Sequence, residues 1–507
     1  MTLSETHGSF PPPPEEFNLA AYVLAAAETQ PDKTALSIVS PERAARWHYG
    51  TLAQAVQGIA AGLLAQGLTP GDRVLMRLGN EVEFPLCFLG AIWAGLVPVP
   101  ASAALTVPEI TALAGEVDPA LIVAAPDVSL PVPAPCAVLP ALALREMESE
   151  TPAPPELGPA DRPAFIVYTS GTSGRPRGVV HAHRAVWARR MMWEGWYGLS
   201  ASDRLLHAGA FNWTYTLGTG LLDPWAAGAT ALIPRAGTKP AQLPLLLKRF
   251  DATIFAAAPG VYRQLLAGRS NIDAPHLRHG LSAGEKLPDS TRAAWTAATG
   301  RPVHEALGMS ECSTFVSGSP ARPAPLGATG YAQTGRRVAI LGGDGRPVPR
   351  GTPGTLAIHR DDPGLMLGYL DAPDETAARF AGSWFLTGDT AEMAQDGAIT
   401  YLGRSDDMMN AGGVRVSPLE VEAALSAHDG IAEVACVEIE VKADTTVIAA
   451  FYTGPEPLPE ADLAAFAADH LARYKQPRLF VHRDALPKSA NGKIDRKTLR
   501  QSGPQTA

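Results

Sequence analysis

The stretch from Ala164 to Gly178 reads Ala-Phe-Ile-Val-Tyr-Thr-Ser-Gly-Thr-Ser-Gly-Arg-Pro-Arg-Gly. Its first part, residues 164–168, is an uninterrupted apolar run and predicts a buried strand. The following ten residues carry four hydroxyls (Thr169, Ser170, Thr172, Ser173), three glycines (Gly171, Gly174, Gly178) and two arginines (Arg175, Arg177). Glycines let a loop curl until successive N–H groups converge on one anion. Hydroxyls and guanidinium groups add donors, and the stretch contains no carboxylate to oppose them. A buried strand opening into such a loop is suited to holding a polyphosphate.

The rest of the chain must supply a fold around that loop. At 507 residues there is material for about three domains of ordinary size. A hydrophobic content of 46% against 18% charged residues describes a globular protein. Lys+Arg 42 against Asp+Glu 51 gives a net charge of −9, which argues against nucleic acid as the main partner. An anionic ligand must therefore be held by local donors. Cys87, Cys136, Cys312 and Cys436 are scattered without metal-like spacing and read as free thiols in a reducing compartment. Residues 1–17 lack the basic and apolar pattern of a signal sequence. The uncharged run 87–105 is broken by Gly95, Pro98 and Pro100, and reads as a helix followed by a buried strand rather than a membrane span. The expectation is a soluble, cytoplasmic protein.

Residues 1–16 read as a loose leader. From 17 to about 150, helical and strand patterns alternate: 52–66 is an alanine-rich helix with Gly67 placed to end it, and 74–76 is a short apolar strand between Arg73 and Arg77. Such alternation predicts a parallel sheet with helices on both faces. Residues 125–160 are proline-rich and read as a surface connection. A second alternating section runs to about 320, after which short strands at 337–341, 355–358 and 399–402 suggest a small β-rich unit. Near Asp406 the pattern changes again, to helix 418–427, strands 434–440 and 446–452, helix 460–473 and strand 479–482. Ser417, Pro418 and Glu420 predict a capping box at the first of these helices. The fold expected is a large α/β domain over 1–405, with two parallel-type sheets, helices and a small β-rich subdomain, followed by a small mobile α+β domain over 406–507.

The loop is not a Walker A sequence, since no Gly-Lys-Ser/Thr closes it. At nearly every position it resembles the phosphate loop of the adenylate-forming (ANL) superfamily: acyl-CoA synthetases, adenylation domains and luciferases. Arg177 stands where the family usually has lysine. Five further stretches resemble the same family in the same order over roughly 30–500. They are Ser282-Ala283-Gly284-Glu285-Lys286, Leu307-Gly308-Met309-Ser310-Glu311, Thr387-Gly388-Asp389, Gly403-Arg404-Ser405-Asp406 and Pro487-Lys488-Ser489-Ala490-Asn491-Gly492-Lys493.

The resemblance implies a role for each stretch. Thr169, Ser170, Gly171, Thr172, Ser173 and Gly174 would bind the phosphates of ATP. Glu311, with the Thr169 hydroxyl, would hold Mg2+ through hard oxygen ligands. Gly284, Glu285, Glu305, Ala306, Leu307 and Ser310 would line the nucleotide slot. Asp389 would accept hydrogen bonds from both ribose hydroxyls, Arg404 would touch the ribose, and Asp406 would be the hinge. Lys493 is the implied catalytic lysine, an ammonium that offsets repulsion between a substrate carboxylate and the α-phosphate. Gly412, Gly413 and Arg415 would contact coenzyme A.

The aromatic cluster with Trp213 and Tyr215 resembles the branch of medium-chain and acetyl-CoA synthetases, and forms either the wall of an acyl pocket or plain core. Gly308 stands where acetate-specific relatives have tryptophan, and implies room for a larger acid. His181, His183 and His207 read as structural. The function implied is an ATP-dependent carboxylic acid–CoA ligase working through acyl-AMP, on an aromatic benzoate-type or medium-chain acid, with ATP, CoA and Mg2+. The alternatives are an adenylating enzyme that loads a carrier-protein thiol and a non-catalytic nucleotide-binding relative.

Overall fold

A computed structural model describes residues 2–169, 177–411, 414–442, 445–488 and 492–502. The chain is α/β through most of its length. The first sheet is fully parallel, in the order Val97–Pro100, Arg73–Arg77, Leu121–Ala124, Ala137–Pro140. Adjacent strand residues point to opposite faces, as the pleat demands. Val74 and Met76 pack with helices Tyr49–Ala65 and Glu83–Trp93, while Leu75 packs with helix Val107–Val117. The helix and strand expected within 87–105 are Glu83–Trp93 and Val97–Pro100. Among the described residues no helix is long and apolar enough to cross a membrane.

The second sheet has nine strands. Six run parallel, in the order Val303–Met309, His279–Ala283, Ile254–Ala257, Arg204–Ala208, Thr230–Pro234, Thr34–Val39. Antiparallel strands close both edges. Leu206 and Phe255 face helices Leu243–Arg249, Pro259–Leu266 and Asp289–Thr299, while Leu205, Ile254 and Ala283 face Trp196 and Tyr215. Burial on both faces is why these strands read as continuous apolar runs.

Between the sheets lies an antiparallel trio, Gly368–Tyr369, Arg177–Ala182, Pro163–Thr169. A five-stranded sheet of Val338–Leu341, Gly354–His359, Trp384–Met393, Phe380–Ala381 and Ile399–Arg404 makes the β-rich unit. Farther on, strands Glu433–Lys442, Thr445–Thr453 and Leu479–His482 are joined by helices Pro418–Leu425, Glu460–His470 and Arg496–Gln501.

Three local expectations are corrected. The leader is tied down: Ser4 N–H donates to the Val348 carbonyl and Ile340 N–H to that of Ser4, so the N-terminus pairs with Val338–Leu341. The proline-rich connection contains the edge strand Ala137–Pro140, since an edge position tolerates proline. Ser417 forms no capping box. Its hydroxyl donates to the Leu402 carbonyl, and Glu420 pairs with Lys475. In both cases a partner distant in sequence takes a group that a local pattern had claimed.

Candidate active site

In parallel sheets ligands gather beyond the carboxyl ends of the strands. Here His279–Ala283 runs into Gly284 and Glu285, and its neighbour Val303–Met309 runs into Ser310 and Glu311, with Ala283 opposite Ala306. Gly284 has φ +98, and a Cβ there would lie 2.9 Å from the Trp213 ring. Glycine therefore lets Trp213 close over the strand end. Ala306 packs with Ala283 and Tyr215, whereas the buried Glu305 points to the opposite face. Glu305 accepts from Leu287 N–H at 3.0 Å and from Arg292 at 2.9 Å, and Lys286 lies 3.5 Å away. Its side chain is not available to a nucleotide slot, and only its main chain is left for that role.

Glu311 is held by the segment that pairs with strand Arg177–Ala182. Tyr369 hydroxyl donates to Glu311 Oε1 at 2.7 Å, and Met366 N–H donates to the Glu311 carbonyl at 2.7 Å. Leu367 and Leu370 then bond to Val180 and Gly178 on strand Arg177–Ala182. Just before Glu311, the Ser310 carbonyl accepts from His181 Nε2–H at 2.8 Å. Thr169 and Arg177 are cross-strand partners on Pro163–Thr169 and Arg177–Ala182. Arg177 turns to Glu375, 2.6 Å away. Ser170, Gly171, Thr172, Ser173 and Gly174 lie outside the described residues, as do Gly412 and Gly413. Arg415 is described only as main chain, in Val414–Val416.

Asp389 and Arg404 sit opposite each other on paired strands, with Arg404 Nη1 3.1 Å from Asp389 Oδ1. Gly388 has φ +78, and a Cβ there would come within 2.9 Å of Arg404 Nη2. Burial raises the pKa of Asp389, and Arg404 opposes that rise. Arg404 also reaches Asp406 at 3.4 Å, and Arg500 brackets Asp407 at 2.7 Å. Lys493 belongs to the same place. Partial desolvation of its ammonium lowers its pKa, the Glu285 and Asp389 carboxylates oppose that, and Arg404 adds to it. The residue is nonetheless exposed to solvent. Glu285 has its pKa raised by burial, with Lys493 the largest opposing charge. Lys488, by contrast, pairs with Glu433 at 3.0 Å.

The three histidines are buried and held neutral. Burial pulls His181 down to about 4, and His183 and His207 down to about 3. Tyr215 is core, edge-on to His207 at 4.4 Å and to Trp213 at 5.2 Å. A Cβ on Gly308 would sit 2.4 Å from the Ser313 carbonyl oxygen. The missing side chain makes room for the neighbouring strand, not for an acyl chain. Sequence reasoning passed over Tyr369, whose partner lies 58 residues away, and Glu433, which meets Arg263 at 2.7 Å.

The family model of AMP-binding enzymes matches residues 23–370, and that of the AMP-binding enzyme C-terminal domain matches 420–493. The chain belongs to the AMP-binding enzyme family. A benzoate–CoA ligase of Thauera aromatica is 31% identical over 474 residues, spanning 86% of this chain and 87% of that protein. A mitochondrial acyl-coenzyme A synthetase of Homo sapiens is 30% identical over 529 residues, spanning 96% of this chain and 91% of that protein. The crystal structure of the anthranilate CoA ligase AuaEII in complex with anthranoyl-AMP matches with a TM-score of 0.88 at 26% identity, covering 97% of this chain and 98% of that one. This AMP-binding enzyme is an acid–thiol ligase of the AMP-forming class, which uses ATP and coenzyme A.

Proposed function

We propose that this ligase activates an aromatic carboxylic acid with ATP and passes the acyl group to coenzyme A. The observation that supports the reading is the Asp389–Arg404 pair, 3.1 Å apart on paired strands, with the charges of Glu285, Asp389 and Arg404 acting on Lys493. Similarity to proteins named as benzoate–CoA ligase and anthranilate CoA ligase supports an aromatic acid over a medium-chain one.

In the first step a carboxylate oxygen bonds to the α-phosphorus, the bond from that phosphorus to the bridging oxygen breaks, and pyrophosphate leaves. Two anions approach each other there, and an ammonium between them stabilises the charge that develops. Lys493 is assigned that role, Asp389 and Arg404 the ribose, and Thr169 with Ser170, Gly171, Thr172, Ser173 and Gly174 the phosphates. Gly284, Ala306, Leu307, Ser310 and the main chain of Glu305 are assigned to the nucleotide slot.

Glu311 has one oxygen taken by Tyr369. Among the described residues no cluster of three His, Cys, Asp or Glu side chains could hold a metal ion by itself. Magnesium keeps most of its ligands from water and phosphate; Glu311 and Thr169 would hold it, and it would supply charge neutralisation on the phosphates. In the second step the CoA thiol attacks the acyl carbon, the bond to AMP breaks, and the thiol proton goes to solvent. Gly412, Gly413 and Arg415 are assigned to CoA, and Asp406 to a hinge that alternates the two steps. All four cysteines are free thiols, in keeping with a cytoplasmic setting.

The test is acid-dependent exchange of labelled pyrophosphate into ATP, followed by CoA consumption, over benzoate-type and medium-chain acids. Aromatic acids are expected to support both. Exchange without CoA consumption would favour a carrier-protein acceptor, and no exchange with any acid would end the reading.

A further inference from the structure

Glu311 stands at the centre of a three-residue hairpin turn. Met309 pairs with Ser313 across it, and Cys312 N–H closes it onto the Met309 carbonyl at 3.3 Å. Ser313 ends the turn at φ +64, a left-handed conformation that glycine takes freely and serine does not. A residue other than glycine stays there only where its surroundings hold it.

Two buried arginines supply that hold. Arg189 Nη1 donates to Ser313 Oγ, and Arg189 is itself paired with Asp223 at 2.6 Å. Arg336 works on the residues either side of Ser313. Its Nη2 donates to the Thr314 carbonyl at 2.9 Å, and its Nη1 lies 3.6 Å from Cys312 Sγ. Nη1 also donates to Asp362 Oδ1, in an ion pair whose two side chains are wholly buried. Asp362 opens the segment that carries Met366 and Tyr369 to Glu311. Gly364 N–H donates to Asp362 Oδ1 at 2.8 Å, and Leu365 N–H donates to the Asp362 carbonyl at 3.0 Å. A Cβ on Gly364 would lie 2.7 Å from Arg336 Nη1 and 3.3 Å from the Cys312 carbonyl oxygen, so segment and turn meet with no side chain between them. Thr6 Oγ1 donates to the Arg336 carbonyl at 3.0 Å, which ties the main chain of Arg336 to the N-terminal segment.

Stability does not account for the Arg336–Asp362 pair. Taking two charges out of water costs about as much as their attraction returns. Arg336 Nε and Asp362 Oδ2 are buried with no partner among the described residues, which adds to that cost. Neither residue belongs to a stretch that carried the family resemblance. We infer that Arg336, locked to Asp362, is a positioning residue for Glu311. It fixes the strained turn on one side and, on the other, the segment that grips the Glu311 main chain and carboxylate. The inference rests on the assignment of Glu311 to nucleotide-bound magnesium and adds to it what holds Glu311 in place.

The test uses the double variant Arg336→Met with Asp362→Asn, which removes both charges together and leaves an amide oxygen for Gly364 N–H. Its readout is the rise in melting temperature that magnesium adds to the ATP-bound protein, titrated with magnesium, which needs no turnover. The variant is expected to melt in one cooperative transition and to need about tenfold more magnesium for half of that rise, the usual effect of removing an outer partner of a ligand. In a Glu311→Gln background the same two changes should add no further shift, since a positioning residue acts only through the residue it holds. A lowered melting temperature with an unchanged magnesium midpoint would mark the pair as structural and overturn the inference. An equal further shift in the Glu311→Gln background would overturn it too. Should the double variant not fold, Arg336→Lys, which keeps the charge and loses the fork, is read in the same way. If Glu311→Gln alone leaves the magnesium midpoint unchanged, the assignment of Glu311 falls, and this inference falls with it.

Discussion

Lys493 brings one charge to a cleft that already holds Glu285, Asp389 and Arg404. Lys493→Ala is expected to slow adenylate formation by about 10²–10³-fold, the usual cost of removing one preorganised charge-stabilising donor. Thioester formation from supplied acyl-AMP should be largely retained, and equal loss of both half-reactions would refute that division. Only the protonated amine can do this work, and its pKa lies below the ordinary lysine value of 10.5. The exchange rate should therefore fall, as pH rises, on the acid side of that value. Gly388→Ala tests the backbone beneath Arg404, which is proposed to hold the ribose. Holding alanine at φ +78 against Arg404 should cost about 1–3 kcal/mol, read as a lowered melting temperature together with a raised KM for ATP.

At the scale of elements, the segment from Met366 to Leu370 straps Glu311 to strand Arg177–Ala182. Tyr369 is its one side-chain tie to the Glu311 carboxylate among the described residues. Tyr369→Phe should leave the fold in place and raise the magnesium concentration needed for half-maximal exchange by about tenfold, the usual effect of removing an outer partner of a ligand. An unchanged magnesium dependence would release Glu311 from that role. The strap was not legible in the sequence. Gly368 and Tyr369 make too short a strand to leave a periodic signal, and their partners in Arg177–Ala182 are nearly two hundred residues earlier. The long apolar runs, by contrast, were legible, because burial on both faces writes itself into composition.

At the scale of the whole molecule, Glu433 joins Arg263 on helix Pro259–Leu266 to Lys488 at the base of the Lys493 loop. The contact ties the C-terminal part to that helix, and under the proposed function it would favour the arrangement that presents Lys493. The pairs are partly exposed, so the tie is worth only about 1 kcal/mol. Glu433→Gln should slow adenylate formation by about fivefold and leave thioester formation from supplied acyl-AMP unslowed. Equal slowing of both would show that the contact supports the fold and does not bias an orientation.

Local chemistry is what the sequence determined by itself: apolar runs that become strands, a glycine- and hydroxyl-rich loop, and motif stretches whose order marked an adenylate-forming enzyme. Those signals rest on neighbours within a few residues. Pairings between residues far apart in the chain were decided only by the tertiary structure. Ser417 gives its hydroxyl to Leu402, Glu305 turns to Arg292, Gly308 yields its space to Ser313, and Arg189 meets Asp223 beside a cavity. A polar or small residue fits many partners equally well by type, and which one it receives depends on how the sheets and helices come to lie against each other.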